Sequence, residues 1–164
     1  MNDEAAQMLR ATGRRPRIAV LLGSGWAPLA QRVADPLRLP YASLPGFPQT
    51  GIAGHAGELL LGRIGAHEVA VLCGRRHAYE GGDVAAMKGA IDALAAAGVQ
   101  TLVQTNAAGS LDETMRPGEL MMVADHLNLV QHSPLVGERG AGFTVSLVEN
   151  DYNANILRRV TGRR

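Results

Sequence analysis

Three short apolar runs in the sequence are each followed by a loop of glycines and ligand-type residues. The loops are Gly23-Ser24-Gly25, Gly74-Arg75-Arg76-His77-Ala78-Tyr79-Glu80-Gly81 and Asn106-Ala107-Ala108-Gly109. Together they contain a hydroxyl beside glycine-flanked backbone amides, an arginine fork, an imidazole and further amides among small residues. This combination of donors suits a small oxyanion such as phosphate.

Each of these residues also has a plain structural interpretation. Arg75 and Arg76, taken alone, are typical of a solvated surface pair, and a lone His77 serves packing as often as function. Tyr79 is typical of half-buried scaffold with a satisfied hydroxyl. Asn106 is typical of a turn that needs a left-handed backbone. The succession of such residues after apolar runs favours a binding site over these separate interpretations.

The glycines after the first apolar run do not form a nucleotide-binding fingerprint. No Gly-Lys-Ser/Thr follows a glycine loop anywhere in the chain, which excludes a Walker loop. A dinucleotide-binding loop requires glycine or alanine where this chain has Pro28, and an acidic residue about twenty positions further on, which is missing. A nicotinamide or flavin cofactor is therefore disfavoured.

The remaining histidines and the cysteine give weaker signals. His55 lies among small residues that let a ligand approach closely, and a simple turn histidine is the alternative. Asp125 and His126 follow the predicted strand Glu119–Val123, and adjacent residues of an extended chain point to opposite faces, which favours a structural role. His126 and His132 lack a third ligand at helical spacing, so we expect no metal site. Cys73 ends an apolar run and is predicted to be a small buried hydrophobe.

These loops must be positioned by an α/β sheet with parallel members. Strands that alternate with helices are typical of such sheets, and the carboxyl ends of their strands form one rim where ligands bind. The pattern predicts helices over Asp3–Ala11, Trp26–Val33 and Val84–Ala97 (capped by Asp83, stopped by Gly98), strands over Arg17–Leu22 and Thr101–Thr105, a hairpin of Glu58–Ile64 and His67–Leu72, a further strand Glu119–Val123, and a long connection rich in proline and glycine from Leu37 to Gly57.

Composition excludes several classes of protein. The 164 residues fit one domain of about 150 residues. A hydrophobic fraction of 46% argues against disorder, and a net charge of +1 argues against a nucleic-acid module. No apolar run approaches the roughly 20 residues of a membrane span. A single cysteine permits no internal disulfide. We therefore expect a soluble, cytoplasmic protein.

The segments GSGW, PGF, AGHAG, GRRHAYEGG, TNAAGS and DHLNL, in this order from Ile18 to Gly137, resemble the trimeric purine nucleoside phosphorylases. The combination of GRxHxYEG with TNAAG is the most specific part of the match. It also favours this group over the methylthioadenosine phosphorylases, whose loop lacks Tyr-Glu-Gly. The resemblance implies a single α/β domain over residues 1–164 with a mixed, partly parallel central sheet flanked by helices. It also implies a homotrimer with sites near the subunit interfaces.

The resemblance further implies the roles of individual residues. Tyr79 would contact the ribose, and Glu80 would orient the ring of His77, the catalytic candidate. Asn106 would shape the turn that presents the next amide. Arg76 is a departure, because relatives commonly carry phenylalanine there, although its backbone can still face phosphate. The residues implied to hold inorganic phosphate are Ser24, His55, Arg75, Arg76, His77 and the backbone amide of Ala107.

The implied reaction is phosphorolysis of purine ribonucleosides or deoxyribonucleosides to free base and sugar 1-phosphate, with phosphate as co-substrate and without cofactor or metal. The match covers roughly the first three-fifths of a typical family member, so the residues that recognise the purine have no counterpart here. We expect either a C-terminally incomplete fragment or a short relative completed by self-association. The alternative function is a catalytically impaired paralogue that keeps the phosphate pocket and acts as a binding or oligomerising subunit.

Overall fold

The computed structural model describes residues 3–48 and 57–123, and the side chain of Glu80 is outside the described part. These residues build a sheet with the strand order β2-β3-β4-β1-β5. β1 runs parallel to β4 and β5, whereas β2, β3 and β4 form an antiparallel meander. The predicted mixed, partly parallel sheet flanked by helices is confirmed. The strands are β1 (Ile18–Leu21), β2 (Ala34–Pro40), β3 (Glu58–Ile64), β4 (His67–Cys73) and β5 (Thr101–Gln104).

Strand β1 lies between its two parallel partners, and its side chains enter the cores on both faces of the sheet, with Leu21 in one cluster and Val20 in the other. This position explains its uninterrupted apolar sequence, because a strand buried on both faces needs no alternation of polar residues. In the register, Leu21 is opposite Leu72 of β4 and Gln104 of β5. The predicted strand Arg17–Leu22 is thus confirmed to within one residue at each end.

The predicted hairpin is also confirmed. β3 and β4 are joined by Gly65 and Ala66, and the φ of +59° at Gly65 is a conformation that favours glycine. The register pairs Ile64 with His67 next to the turn and Glu58 with Cys73 at the open end. The hairpin therefore places Glu58 and Cys73 at one end of the strands and its turn at the other.

Strand β2 was not predicted from the sequence. It occupies the start of the region interpreted as a connection from Leu37, and it contains Pro36 and Pro40. It pairs only with β3 among the described strands, and proline is tolerated on such an edge strand because one side needs no hydrogen bonds. A register shift between Ala34 and Leu37 further breaks its regularity. These features hid the strand from a periodicity argument.

Two α-helices cover one face of the sheet. Helix α1 (Asp3–Ala11) is confirmed as predicted, and helix α2 (Lys88–Ala97) begins four residues later than expected. Asp83 does accept a hydrogen bond from the amide of Ala85 at 2.9 Å, but only turns follow before the helix begins. Gly98 ends α2 at a φ of +111°, as predicted. The core on this face consists of Ala5, Leu9, Ala19, Leu21, Tyr41, Leu44, Phe47, Leu59, Leu61, Ala70, Leu72, Ala90, Ala93 and Leu94.

The opposite face is covered by a 3₁₀ helix over Ala27–Arg32, where the sequence predicted an α-helix over Trp26–Val33. The prediction was wrong in type. The amide of Leu29 donates to Trp26 and that of Val33 to Ala30, which are the i to i+3 hydrogen bonds of a 3₁₀ helix. Trp26 and Leu29 pack against the apolar cluster on this face. The cluster consists of Val20, Leu22, Val33, Leu60, Val69, Val71 and Cys73.

The chain divides into two compact units, Met1–Gly109 and Ser110–Arg164. The first contains the sheet. In the described part of the second, Asp112 accepts hydrogen bonds from the amide and hydroxyl of Thr114, which hold the pKa of its carboxyl below the ordinary value. The predicted strand Glu119–Val123 does not form, because these residues pair with no other described strand, and their apolar side chains are exposed. The prediction of one domain over residues 1–164 stays a prediction.

Candidate functional site

The loops that follow β1, β4 and β5 all leave the sheet where these parallel strands have their carboxyl ends. We call this side of the sheet the carboxyl edge. This follows from the topology, since β1 is parallel to both neighbours and lies between them. Three of the predicted site segments therefore come together at neighbouring strand ends. They are the segments that begin at Gly23, Gly74 and Thr105.

Ser24 lies in a four-residue turn from Gly23 to Trp26. The amide of Trp26 donates to the carbonyl oxygen of Gly23 at 3.1 Å, and the third residue, Gly25, has a φ of +86°. A turn with a positive φ at its third position requires glycine there, which explains Gly25. Ser24 is exposed at this turn, so its hydroxyl is accessible from the carboxyl edge.

Thr105 joins the end of β5 to the end of β1. Its buried hydroxyl accepts a hydrogen bond from the amide of Gly23 at 2.9 Å and donates one to the carbonyl oxygen of Leu21 at 3.0 Å. The two backbones approach so closely that a Cβ on Gly23 would overlap the carbonyl oxygen of Thr105. Glycine at position 23 is therefore required by contact with a neighbouring strand.

Arg75 is also bound to Thr105. Its Nη1 donates to the carbonyl oxygen of Thr105 at 3.2 Å, and the residue is half-buried. Its Nε is buried and has no hydrogen-bond partner within the described residues. An unpaired buried donor on a charged group is costly, and an anion at this place would satisfy it.

Tyr41 holds the backbone just before Arg75. Its hydroxyl donates to the carbonyl oxygen of Gly74 at 2.9 Å, and its ring is 1% exposed and packs at 5.3 Å from that of Phe47. Burial raises the pKa of Tyr41 well above its ordinary value, and the nearby Cys73 and Glu58 add to the shift. The hydroxyl therefore keeps its proton and acts as a donor throughout the neutral range.

His77 and Tyr79 form a stacked pair after Arg75. Their ring centroids are 4.8 Å apart and the ring planes differ by 12°. His77 is half-buried, whereas Tyr79 is 82% exposed. Arg76 folds over the following turn, with its Nη2 2.9 Å from where a Cβ on Gly81 would lie. The loop thus presents an imidazole beneath an accessible phenol.

Ala107 is exposed two residues after Thr105. The side-chain nitrogen of Asn106 donates to its carbonyl oxygen at 3.0 Å. His55, Asp125, His126 and His132 lie outside the described residues. So does the side chain of Glu80, which was expected to orient His77.

Cys73 is buried with 9% of its surface exposed, so the prediction of a small buried hydrophobe is confirmed. Burial raises the pKa of its thiol to about 11, and the charge of Glu58 adds to the shift while Arg38 opposes it. A thiol with this pKa is a poor nucleophile at neutral pH.

Residues 3–48 and 57–123 contain no cluster of three His, Cys, Asp or Glu side chains that could hold a metal ion. Within the same residues, no helix has the length and apolar character needed to cross a membrane.

Two residues that anchor the loops, Thr105 and Tyr41, were not identified from the sequence as functional. A hydroxyl-bearing, β-branched residue at the end of an apolar strand, directly before Asn106, is the signal for Thr105. Tyr41 had no comparable signal, because it lies in the segment interpreted as a connection. Both residues act on the backbone of distant segments.

The fold and the polar carboxyl edge define an α/β protein of the kind that binds small ligands at its strand ends. A family model described as the phosphorylase superfamily matches residues 17–162, and the chain belongs to this superfamily. Purine nucleoside phosphorylase of Mycobacterium tuberculosis is 51% identical over 121 residues, which are 73% of this chain and 45% of that protein. Purine nucleoside phosphorylase 1 of Geobacillus stearothermophilus is 36% identical over 144 residues, covering 87% and 53%.

Solved structures agree with these relatives. A Schistosoma mansoni purine nucleoside phosphorylase in a complex with BCX-34 superposes with a TM-score of 0.73 at 33% identity, covering 85% of this chain and 54% of that one. A purine nucleoside phosphorylase in complex with ribose-1-phosphate gives a TM-score of 0.63 at 36% identity, covering 70% and 42%. The resemblance to purine nucleoside phosphorylases is confirmed. The chain spans about half the length of these relatives, slightly less than the expected three-fifths.

Proposed function

We propose that this chain provides the phosphate-binding part of a purine nucleoside phosphorylase. The reaction would convert a purine ribonucleoside or deoxyribonucleoside and inorganic phosphate into the free base and the sugar 1-phosphate. The relatives named above support this proposal, as does a solved relative that holds inosine. The observation that carries it is Arg75, whose guanidinium is anchored to Thr105 beside the Ser24 turn while its buried Nε has no partner among the described residues.

The chemistry needs an anion site and no nucleophile from the protein. An oxygen of hydrogen phosphate attacks the anomeric carbon of the sugar, and the bond from this carbon to the purine breaks. The electron pair of that bond leaves with the purine, and the proton of hydrogen phosphate ends on the base. Holding phosphate in the attacking geometry removes an entropic cost of several kcal/mol.

Separate residues take the parts of this task. Arg75 would bind phosphate with two parallel donors, which lysine does not provide. Ser24, His55, Arg76 and the amide of Ala107 would complete the phosphate site. His77 would act as the catalytic residue by a charge-assisted bond to the attacking phosphate, and Tyr79 would contact the ribose. We propose no cofactor beyond phosphate as co-substrate.

The wider setting is also a proposal. Following the family, the protein would be cytoplasmic and would assemble as a homotrimer. It would bind neither nucleic acid nor membrane, consistent with the balanced charge of 16 basic and 15 acidic residues.

The first test measures phosphate binding by titration calorimetry, together with the release of hypoxanthine from inosine or guanine from guanosine. Replacing Arg75 with alanine should raise the Kd for inorganic phosphate by about tenfold to a hundredfold, because charge-assisted hydrogen bonds are lost. Replacing His77 with alanine should abolish release of the base. Arg63→Ala, on an exposed arginine paired with Asp35, is the matched control and should leave the Kd unchanged.

The outcomes separate the alternatives. Base release that depends on Arg75 and His77 supports the phosphorylase. Phosphate binding without base release favours the catalytically impaired binding subunit. If the wild-type chain binds no phosphate at millimolar concentration, or if Arg75→Ala binds it equally well, the proposed site is wrong.

A further inference from the structure

We propose that Thr105 is the positioning residue of the anion site, a role that rests on the proposed phosphate binding. No ligand contact is assigned to Thr105. It would act by holding the two segments that carry Ser24 and Arg75 in one geometry. Its side chain fixes the first segment and its main chain the second.

The hydroxyl of Thr105 binds two backbone groups at the end of β1 and just after it. The Thr105 hydroxyl receives the amide hydrogen of Gly23 and gives its own hydrogen to the carbonyl oxygen of Leu21. The amide of Thr105 also donates to Leu21, at 3.0 Å, so the pairing of β5 with β1 continues one residue past the strands. With 7% of its surface exposed, Thr105 makes these bonds away from competing water.

The amide held in this way belongs to the first residue of the Ser24 turn. The same Gly23 accepts the closing hydrogen bond of that turn through its carbonyl oxygen. Losing the Thr105 hydroxyl would leave the Gly23 amide without its partner, so the turn would shift until water or another group satisfied it. The position of Ser24 therefore depends on a hydroxyl that the ligand need never touch.

The main chain of Thr105 binds the side chain of Arg75. Since Nη1 donates to the Thr105 carbonyl oxygen, this bond survives removal of the hydroxyl. A hydroxyl deletion therefore moves the Ser24 turn relative to an anchored guanidinium. This predicts weaker anion binding without loss of the guanidinium contact.

The test compares Thr105→Val, which removes the hydroxyl at nearly constant shape, with Thr105→Ser, which keeps it. The Kd for inorganic phosphate, measured by calorimetry on the full chain, should rise about tenfold in Thr105→Val, the effect of one lost hydrogen bond and its shifted turn. Thr105→Ser should stay within about twofold of the wild type.

Thr12→Val is the matched control. The hydroxyl of Thr12 also donates to a carbonyl, that of Leu9 at 2.6 Å, and accepts from an amide, that of Arg14 at 3.2 Å. It lies between α1 and β1, at the edge where the parallel strands begin. This variant loses an equivalent pair of hydrogen bonds at a distant position and should bind phosphate with wild-type affinity.

Amide hydrogen exchange at Gly23, followed by NMR, is the second measurement. Exchange should accelerate at least tenfold in Thr105→Val and remain slow in Thr105→Ser and Thr12→Val. If Thr105→Val does not fold, Thr105→Ser still tests the proposal. A tenfold loss of phosphate affinity in this variant, which retains the hydroxyl, would contradict it. Wild-type affinity in a folded Thr105→Val, or an equal loss in Thr12→Val, also overturns it.

The failure of the proposed function looks different. In that case the wild-type chain itself binds no phosphate, while Gly23 exchange still responds to Thr105→Val. If the wild-type chain and the Thr105→Val variant bind phosphate equally well, the proposed function is retained and the proposed role of Thr105 is wrong.

Discussion

The arginine side chains at the two edges of the sheet differ in their ion pairs. At the edge where β1 and β4 begin, which we call the amino edge, Arg14 lies 3.7 Å from Glu68, and Arg63 lies 2.9 Å from Asp35. At the carboxyl edge, neither Arg75 nor Arg76 has a carboxylate partner among the described side chains. Among the described side chains, Arg14 and Arg63 are therefore paired with carboxylates, whereas Arg75 and Arg76 are not.

Among the described side chains, the carboxyl edge also contains one paired arginine, Arg38. Glu58 is opposite Cys73 in the register and forms an ion pair of 2.7 Å with Arg38. Arg75 differs from these paired arginines because its buried Nε has no hydrogen-bond partner among the described residues, and a bound anion would supply one.

The largest expected effect tests how closely the strands meet at the carboxyl edge. Gly23→Ala places a Cβ against the Thr105 carbonyl oxygen and should lower the free energy of unfolding by about 3 kcal/mol. Gly13→Ala, at the amino edge, meets nothing within 4 Å and pays only for its φ of +78°, about 1 kcal/mol. Urea unfolding of both variants measures the difference. Equal losses would show that β1 and β5 do not meet closely at Gly23.

The next effect uses the buried neutral groups beside the site. The thiol of Cys73 ionises at its ordinary pKa of 9.0 in the unfolded chain and at about 11 in the folded one. The thiol of the unfolded chain therefore loses its proton at a lower pH than the thiol of the folded chain. The contribution of the neutral thiol to the free energy of unfolding is complete below pH 9 and is lost as the pH rises towards 11. The expected loss is about 2 kcal/mol.

Unfolding in urea at pH 8, 9, 10 and 11 measures this loss. Cys73→Ala should show a shallower decline over the same range, and the decline that remains should include Tyr41, whose raised pKa acts with the same sign. A decline that is identical with and without Cys73 would contradict the shifted thiol pKa.

The smallest effect concerns the ion pairs of the amino edge. Arg63→Ala breaks an exposed pair with Asp35, in which the two side chains are 52% and 67% exposed. Such pairs contribute little, so the free energy of unfolding should change by no more than about 0.5 kcal/mol. Thermal unfolding of both proteins in low and high salt measures the change. A loss above 2 kcal/mol would show that the amino edge is stabilised by charge rather than by packing.

The local elements were largely predictable because their signals are local. An apolar run bounded by glycines identified β1, two strand-like runs joined by Gly65 and Ala66 identified the hairpin, and Gly98 marked the end of α2. The failures have physical causes. β2 contains prolines that only an edge strand tolerates, and the segment Glu119–Val123 has strand-like composition without a described partner.

The candidate site was predictable as a set of residues and not as a geometry. The succession of Ser24, Arg75 and Ala107 after apolar strands indicated that three loops belong together, and the parallel pairing of β1 with β4 and β5 brings those strand ends side by side. The expected roles of these residues stay predictions. Thr105 was seen only as the last residue of a strand.

The order of chemical groups after each strand is a local property of the sequence, because periodicity and turn residues act over a few positions. The fold, by contrast, sets the hydrogen bond between the amide of Gly23 and the hydroxyl of Thr105, 82 residues further along the chain. It also sets the hydrogen bond from Tyr41 to Gly74. Hydrogen bonds between distant segments leave no periodic trace in the sequence, since their partners are selected by strand order and register.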